Sequence, residues 1–467
     1  MKNRAIRYLA AGLLLLQSFA MCACGADVKE AEAAEESVRR QGTETDSDAA
    51  NGTERAETEE AGGMTDVESE GKTRALPAEK EREDHKDGAN GFAFRLAGQM
   101  VQDLNEGENL IVSPYSVWLP LSALANGTDR EAVGELLSVL GKSGADVEEL
   151  NEEVKGMLAV LQKDEQAEWN RENGAGDFES PLQIANALFV DSNAAVNPEL
   201  EDIFVENYRG KLFQADFGED SAVEMVNRWA KESTKGKIDR IIEEFPPDTR
   251  AAIANAIYFS DGWTKEFSVQ NTQEDVFYSA AGEERVPFMN QEFDRMPYYE
   301  DEDMQAAALA TATGGRLFVL LPKEGVSAEE LLSGMDAEKF ALLEETEERT
   351  VQFSMPRFLI ESDVFSLKEV LMRMGVPLMD ENTPHLDKIL DKEALSLSCA
   401  VQKAMIEVDE KGMTAAAVTA IVMQRCSLIE GGEPVKMKCD RPFAFLLTAY
   451  GGVGQQVLFC GIVNRIG

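Results

Sequence analysis

The sequence predicts an α+β fold with large mixed sheets. Three observations lead there. Apolar residues recur at helical spacing mostly early in the globular region, strand-like runs crowd its later part, and no internal repeat or regular strand–helix alternation is present. Of the 467 residues, 44% are hydrophobic, enough for a substantial core.

The globular texture begins near Asn90. Phe92, Leu96, Met100 and Leu104 share one helical face, predicting a helix over Asn90 to Asn105. Leu110 to Val112 leads into Ser113-Pro114-Tyr115-Ser116, a capping Ser before a first-turn Pro, and the helix continues through Trp118 to Ala125 until Asn126-Gly127. Gln183 to Val190 reads as a strand, Ser221 to Ser233 as a helix, and Arg250 to Phe259 and Arg316 to Leu321 as strands. Val351 to Ile360 alternates like one half-buried strand, and Phe365 to Met374 reads as a helix stopped by Gly375. Leu397 to Val408 is a long strand candidate. Phe443 to Ala449 and Gln456 to Val463 flank Gly451-Gly452-Val453-Gly454 as a terminal hairpin.

Charge and composition exclude several function classes. A net charge of -41 repels nucleic acid and anionic lipid, so no nucleic-acid partner is expected. The two histidines, His85 and His385, leave little scope for a His-dependent hydrolase. Cys22, Cys24, Cys399, Cys426, Cys439 and Cys460 contain no Cys-x-x-Cys pair, and no His-Glu-x-x-His occurs, so neither a metal nor a cofactor is expected. Gly141-Lys142-Ser143 lacks the earlier P-loop glycine, with Leu136 in its place. The last four cysteines are read as free thiols, mostly buried, with a disulfide left open.

Lys2, Arg4 and Arg7 precede the apolar run Tyr8 to Met21, the layout of a secretory signal. Met21-Cys22-Ala23-Cys24-Gly25 resembles a bacterial lipobox. That resemblance implies removal of residues 1–23, a lipid on Cys24 and a membrane anchor; the alternative is an ordinary cleaved signal and a secreted product. Residues 27 to 87 carry 20 acidic and 9 basic side chains and no aromatic residue. Such a segment cannot bury enough apolar surface to order itself. Residues 24–87 therefore read as an acidic tether with a span on the order of 40–50 Å, and 88–467 as the folded domain.

Several segments of that domain, in order, resemble the serpins. They are Asn109-Leu110-Ile111-Val112-Ser113-Pro114-Tyr115-Ser116; Ile184 to Val190; Asn227-Arg228-Trp229 with Thr234-Lys235-Gly236-Lys237-Ile238; Asn255-Ala256-Ile257-Tyr258-Phe259 with Trp263 and Phe267; and Met355-Pro356-Arg357-Phe358. Glu407-Val408-Asp409-Glu410-Lys411-Gly412 through Ala420, then Arg441-Pro442-Phe443 and Leu458-Phe459-Cys460-Gly461, complete the set. The resemblance implies three β-sheets in a shell of helices, an exposed reactive loop, and a monomer that inhibits a protease rather than an enzyme. A target protease cleaves the loop and stays attached as an acyl complex while the loop inserts into the central sheet. It also implies a loop hinge at Glu410, Gly412, Met413, Thr414, Ala415, Ala416 and Ala417, and a sheet-opening region at Ser113, Ser116, Asn186, Gln402 and Trp263.

The loop suits burial as a strand. One face carries Met413, Ala415, Ala417, Thr419, Ile421 and Met423; the other carries Thr414, Ala416, Val418, Ala420, Val422 and Gln424. No charge and no Pro stands among them, so burial costs neither an unpaired ion nor a ladder donor. Family spacing places the reactive bond at Cys426-Ser427, and a loop one residue shorter places it at Arg425-Cys426, which explains an exposed Arg in an uncharged loop. Arg425 suits trypsin-like proteases, whereas Cys426 suits elastase-like or papain-like ones. Three departures bear on speed. Met413 stands where small Thr or Ser is usual, Gln402 where a His is common, and Ala308-Leu309-Ala310 replaces Leu-Pro-Tyr. Rival readings are a non-inhibitory carrier or chaperone of the same fold, a solute-binding lipoprotein, and an enzyme.

Overall fold

The computed structural model describes residues 87–172, 180–246, 249–380, 383–390, 393–397, 400–413 and 433–466. The first helix, Gly88–Gln102, buries Phe92, Phe94 and Leu96. Strand Leu110–Val112 then feeds helix Pro114–Leu124, whose Trp118 is wholly buried. Ser113 begins this helix in extended backbone, but its hydroxyl makes no capping bond; it is used elsewhere.

A nine-stranded sheet forms one body of the fold. Its order is Leu110–Val112, Gln455–Val463, Phe443–Tyr450, Arg316–Pro322, Met304–Ala310, Gly282–Glu300, Glu348–Pro356 and Val435–Lys438, with Gln273–Ser279 also on Gly282–Glu300. The terminal hairpin Phe443–Tyr450 and Gln455–Val463 is antiparallel, as its glycine turn predicts. A three-stranded sheet sets Leu182–Asp191 between Gly210–Ala215 and Ala251–Phe259. A four-stranded sheet runs Phe358–Glu361, Met405–Val408, Gly412–Met413 and Asp261–Gly262.

Three expectations need correction. Val351 to Ile360 is not one strand: Glu348–Pro356 and Phe358–Glu361 belong to different sheets, and the chain switches between them at Arg357. Residues 365–374 hold a short strand, Phe365–Ser366, before helix Lys368–Arg373. The strand expected over Leu397 to Val408 is two pieces, Val401–Gln402 and Met405–Val408, each with its own partner strand.

The three-stranded sheet has a core on each face. Ala187, Phe189 and Ala256 pack with Val226 and Trp229 of helix Asp220–Ser233. Ile184, Leu188, Ile257 and Phe259 face the main core, with helix Pro114–Leu124. This is the alternation that strand geometry requires of a sheet covered on both sides.

Candidate functional site: a gap between two strands

Strand Ala251–Phe259 pairs along one edge only. Leu182–Asp191 takes that edge from Leu182↔Phe259 to Val190↔Ala251. Its other edge has no ladder partner among the described residues. Across from it lie Val401–Gln402 and Met405–Val408. A cavity of about 110 Å³ lies between, with Ala252, Ala254 and Asn255 on one wall and Val401 and Gln402 on the other.

One end of the gap is closed by the segment expected to be the loop hinge. Gly412–Met413 pairs antiparallel with Asp261–Gly262 on one side and, at Met413, with Val408 on the other. Met413 is 1% exposed. It lines a small void of about 20 Å³ with Ile257, Phe259 and Ile406. Gly412 is demanded by close approach: a Cβ here would lie 2.2 Å from the Asp261 carbonyl oxygen and 2.7 Å from Gly262 Cα. Gly262 opposite it has no Cβ either, which is what lets the two backbones meet.

The turn before Gly412 is held from three directions. Asp409 Oδ1 accepts from the Lys411 amide at 2.8 Å and the Gly412 amide at 3.2 Å. The Trp263 indole donates to the Asp409 carbonyl at 2.8 Å, and the Trp263 amide donates to the Lys411 carbonyl at 2.8 Å. Glu410 is buried and accepts from Arg357 and from the Thr272 hydroxyl. Burial pushes its carboxyl up, but the Arg357 and Thr272 hydrogen bonds outweigh that and hold it below its ordinary value.

Gln402 faces the middle of the gap. Its Oε1 accepts from the Ser113 amide at 2.9 Å and its Nε2 donates to the Ser113 carbonyl at 2.8 Å. The Ser113 hydroxyl, free of any capping duty, donates to the Leu458 carbonyl at 2.8 Å and lies 3.0 Å from Ser116 Oγ. Asn186 belongs to a separate set. Its Nδ2 donates to the Tyr208 carbonyl at 2.6 Å, and Asn255 donates to its Oδ1 at 2.8 Å. The Asn255 Oδ1 atom is buried and has no hydrogen-bond partner.

Helix Asp220–Ser233 carries the segment that follows it over the same cavity. Ile241, Ile242 and Phe245 line the void. Asn227 pins this segment: its Oδ1 accepts from the amides of Ile241 and Ile242 at 2.8 and 3.1 Å, and its Nδ2 donates to the Ile242 carbonyl at 2.8 Å. Thr234 Oγ1 accepts from the Ile238 amide at 3.0 Å, and Gly236 turns the chain at φ +80°.

The chain matches the family model of the serpins, serine protease inhibitors, over residues 87–466. It is a serpin. Among relatives, an uncharacterized serpin-like protein of Thermococcus kodakarensis is 30% identical, covering 80% of this chain and 83% of that protein. Antitrypsin of Bombyx mori is 27% identical over 81% of this chain and 93% of its own. Among solved structures, the thermophilic serpin tengpin in its native state matches with a TM-score of 0.68 and 26% identity, over 82% of this chain and 94% of that one. Serpins are typically protease inhibitors rather than enzymes.

Within this serpin, the residues expected to act together fall into two clusters. Ser113, Ser116 and Gln402 meet, whereas Asn186 reaches the gap only through Asn255, and Trp263 sits at the hinge. Glu410, Gly412 and Met413 stand at the closed end. Thr414, Ala415, Ala416, Ala417, Arg425, Cys426, Ser427 and Cys24 lie outside the described residues. Asn255, Arg357 and Asn227 stood in the family motifs, but nothing local in the sequence showed their partners. Cys439 and Cys460 are buried free thiols, and Cys399 lies outside the described residues. Among the described residues no cluster of metal-ligating side chains occurs, and no helix is long and apolar enough to cross a membrane.

Proposed function

We propose that this serpin inhibits serine proteases as a suicide substrate, its loop entering the gap between Ala251–Phe259 and Met405–Val408. The observation that supports this most is the strand edge of Ala251–Phe259, which has no partner among the described residues and is lined by a cavity, with Gly412–Met413 at its end. Residues beyond Met413 carry no charge and no Pro as far as Gln424. They can supply the missing ladder without burying an unpaired ion.

The chemistry belongs to the protease. Its serine oxygen attacks the carbonyl of Arg425 or Cys426, the new amino terminus leaves, and an ester joins loop to enzyme. Strand insertion then competes with hydrolysis of that ester. The backbone amides gained along an open edge drive the competition, because unpaired backbone polar groups are costly once buried. Arg425-Cys426 is the proposed bond, with Cys426-Ser427 the alternative. A lipid on Cys24 and the acidic tether place the inhibitor at the outer face of a membrane, as a monomer.

Incubation with trypsin, elastase and a papain-like protease tests the proposal. The expected result is an SDS-stable complex with trypsin, and a released peptide whose mass begins it at Cys426. A mass beginning at Ser427 moves the bond by one residue. Simple cleavage by all three, without a complex, contradicts inhibition and favours a carrier.

A further inference from the structure

The cavity between the two strands is sized for a small ligand. Its volume is about 110 Å³, the same order as the ~150 Å³ apolar cavity that admits a benzene ring. Phe189 and Val226 reach it from one face of the sheet, and Leu121 and Leu371 from the other. The void therefore runs through the plane of the sheet, and the parted strands leave a way in.

The polar side chains on its walls are accounted for one by one. Gln402 gives both amide atoms to the Ser113 backbone. The Ser113 hydroxyl donates to the Leu458 carbonyl and has Ser116 Oγ beside it. Thr234 Oγ1 donates to the Ala230 carbonyl at 2.9 Å, and Thr249 Oγ1 to the Pro246 carbonyl at 2.7 Å. Lys403 is the one charged side chain lining the void among the described residues, and it pairs with Glu361 at 2.8 Å. Asn255 is the exception. Its Nδ2 donates to Asn186 Oδ1, but its own Oδ1 is buried and has no partner. Among the described residues the walls thus offer hydrocarbon, one side-chain acceptor that lacks a donor, and no unpaired charge.

Those properties select a ligand class. A hydrocarbon body gains by leaving water. A charged group would be buried without a partner, which is costly. A single hydroxyl finds its acceptor in Asn255. We infer that the cavity binds a small uncharged ring alcohol of phenol size, its hydroxyl donating to Asn255 Oδ1. Ile253, two residues along the strand and on the same face as Asn255, packs against the ring with Leu121 and Leu371. This goes beyond the inhibitory reading and does not depend on it, because the ligand occupies the intact protein.

Calorimetric titration of the intact protein with phenol, benzene and benzoate tests the inference, with thermal unfolding midpoints as a second measurement. Benzene has the ring without the donor, and benzoate has the ring with a charge. We expect phenol to bind about five-fold more tightly than benzene, and benzoate not to bind. Phenol should raise the midpoint, as any ligand of the folded state alone does. Asn255→Leu should abolish the preference for phenol and keep benzene binding. Ala400→Leu, which sets a larger side chain on the wall of the void, should weaken both, and it locates the ligand where Asn255→Leu does not fold. Equal binding of phenol and benzene by the wild type overturns the inference, as does a phenol preference that survives Asn255→Leu. No binding of any of the three overturns the site itself. Each of these outcomes leaves the inhibitory reading standing, since the SDS-stable complex tests that separately.

Discussion

Glu410 and Arg357 form an ion pair at the closed end of the gap, with Glu410 Oε1 accepting from Arg357 Nε at 2.9 Å and from its terminal nitrogen at 2.5 Å. The Glu410 side chain is 6% exposed and that of Arg357 is 42% exposed. The pair therefore holds a buried carboxylate from its solvent side. It joins the start of strand Phe358–Glu361 to the turn that precedes Gly412–Met413.

Replacing Glu410 with Ala removes the acceptor for Arg357 and Thr272. Arg357 can rehydrate, so the expected cost is about 1–2 kcal/mol rather than the full penalty of a stranded ion. Urea unfolding measures this. Amide exchange at 409–413 should rise in the same variant, because the turn loses its anchor; unchanged exchange there would show that the pair does not hold the hinge.

The pair also sets a pH window. The folded Glu410 carboxyl lies below its ordinary value of 4.5. Its contribution is therefore fully present above pH 4.5 and is lost as the pH falls through the folded value. Hinge amides should exchange faster at pH 3.5 than at pH 6, after correction for intrinsic rates, and Glu410→Gln should flatten that difference.

Gly412→Val places a branched side chain against the Asp261 carbonyl. The first rung cannot form without a shift of backbone, at an expected cost of about 1–3 kcal/mol. The predicted outcome is loss of amide protection at Met413 and a lower yield of SDS-stable complex, with more loop cleaved as ordinary substrate.

Gln402→Leu leaves the buried Ser113 amide without an acceptor, while the Ser113 carbonyl keeps the Ser116 amide as a donor. We expect a loss of about 1–3 kcal/mol in guanidinium unfolding of the intact form. Gln402→Glu keeps an acceptor for the Ser113 amide but sets a carboxylate oxygen against the Ser113 carbonyl, and should fall between.

How much of this was legible follows the range of the interactions. Helix Pro114–Leu124 and the terminal hairpin were readable because the first-turn Pro114 and the turn Gly451-Gly452-Val453-Gly454 act within a few residues. The 19-residue strand Gly282–Glu300 was not, since it pairs along its length with three different strands and shows no steady alternation. Arg357 looked like one more residue of a continuous strand, because period-two spacing cannot show that the chain changes sheets there. At the site, Gly412 and Met413 were named from the sequence, but their pairing with Asp261–Gly262 joins segments 150 residues apart. The Asn227 clamp and the unpaired Asn255 oxygen arise from such contacts, which residue spacing does not encode.

The central claim is that the loop becomes the missing strand beside Ala251–Phe259. Hydrogen–deuterium exchange of residues 251–259, compared between intact and loop-cleaved protein, tests it most directly. The prediction is fast exchange at the open edge in the intact form and strong protection after cleavage. Equal exchange in the two forms, with the cleaved loop still open to proteases, would contradict it.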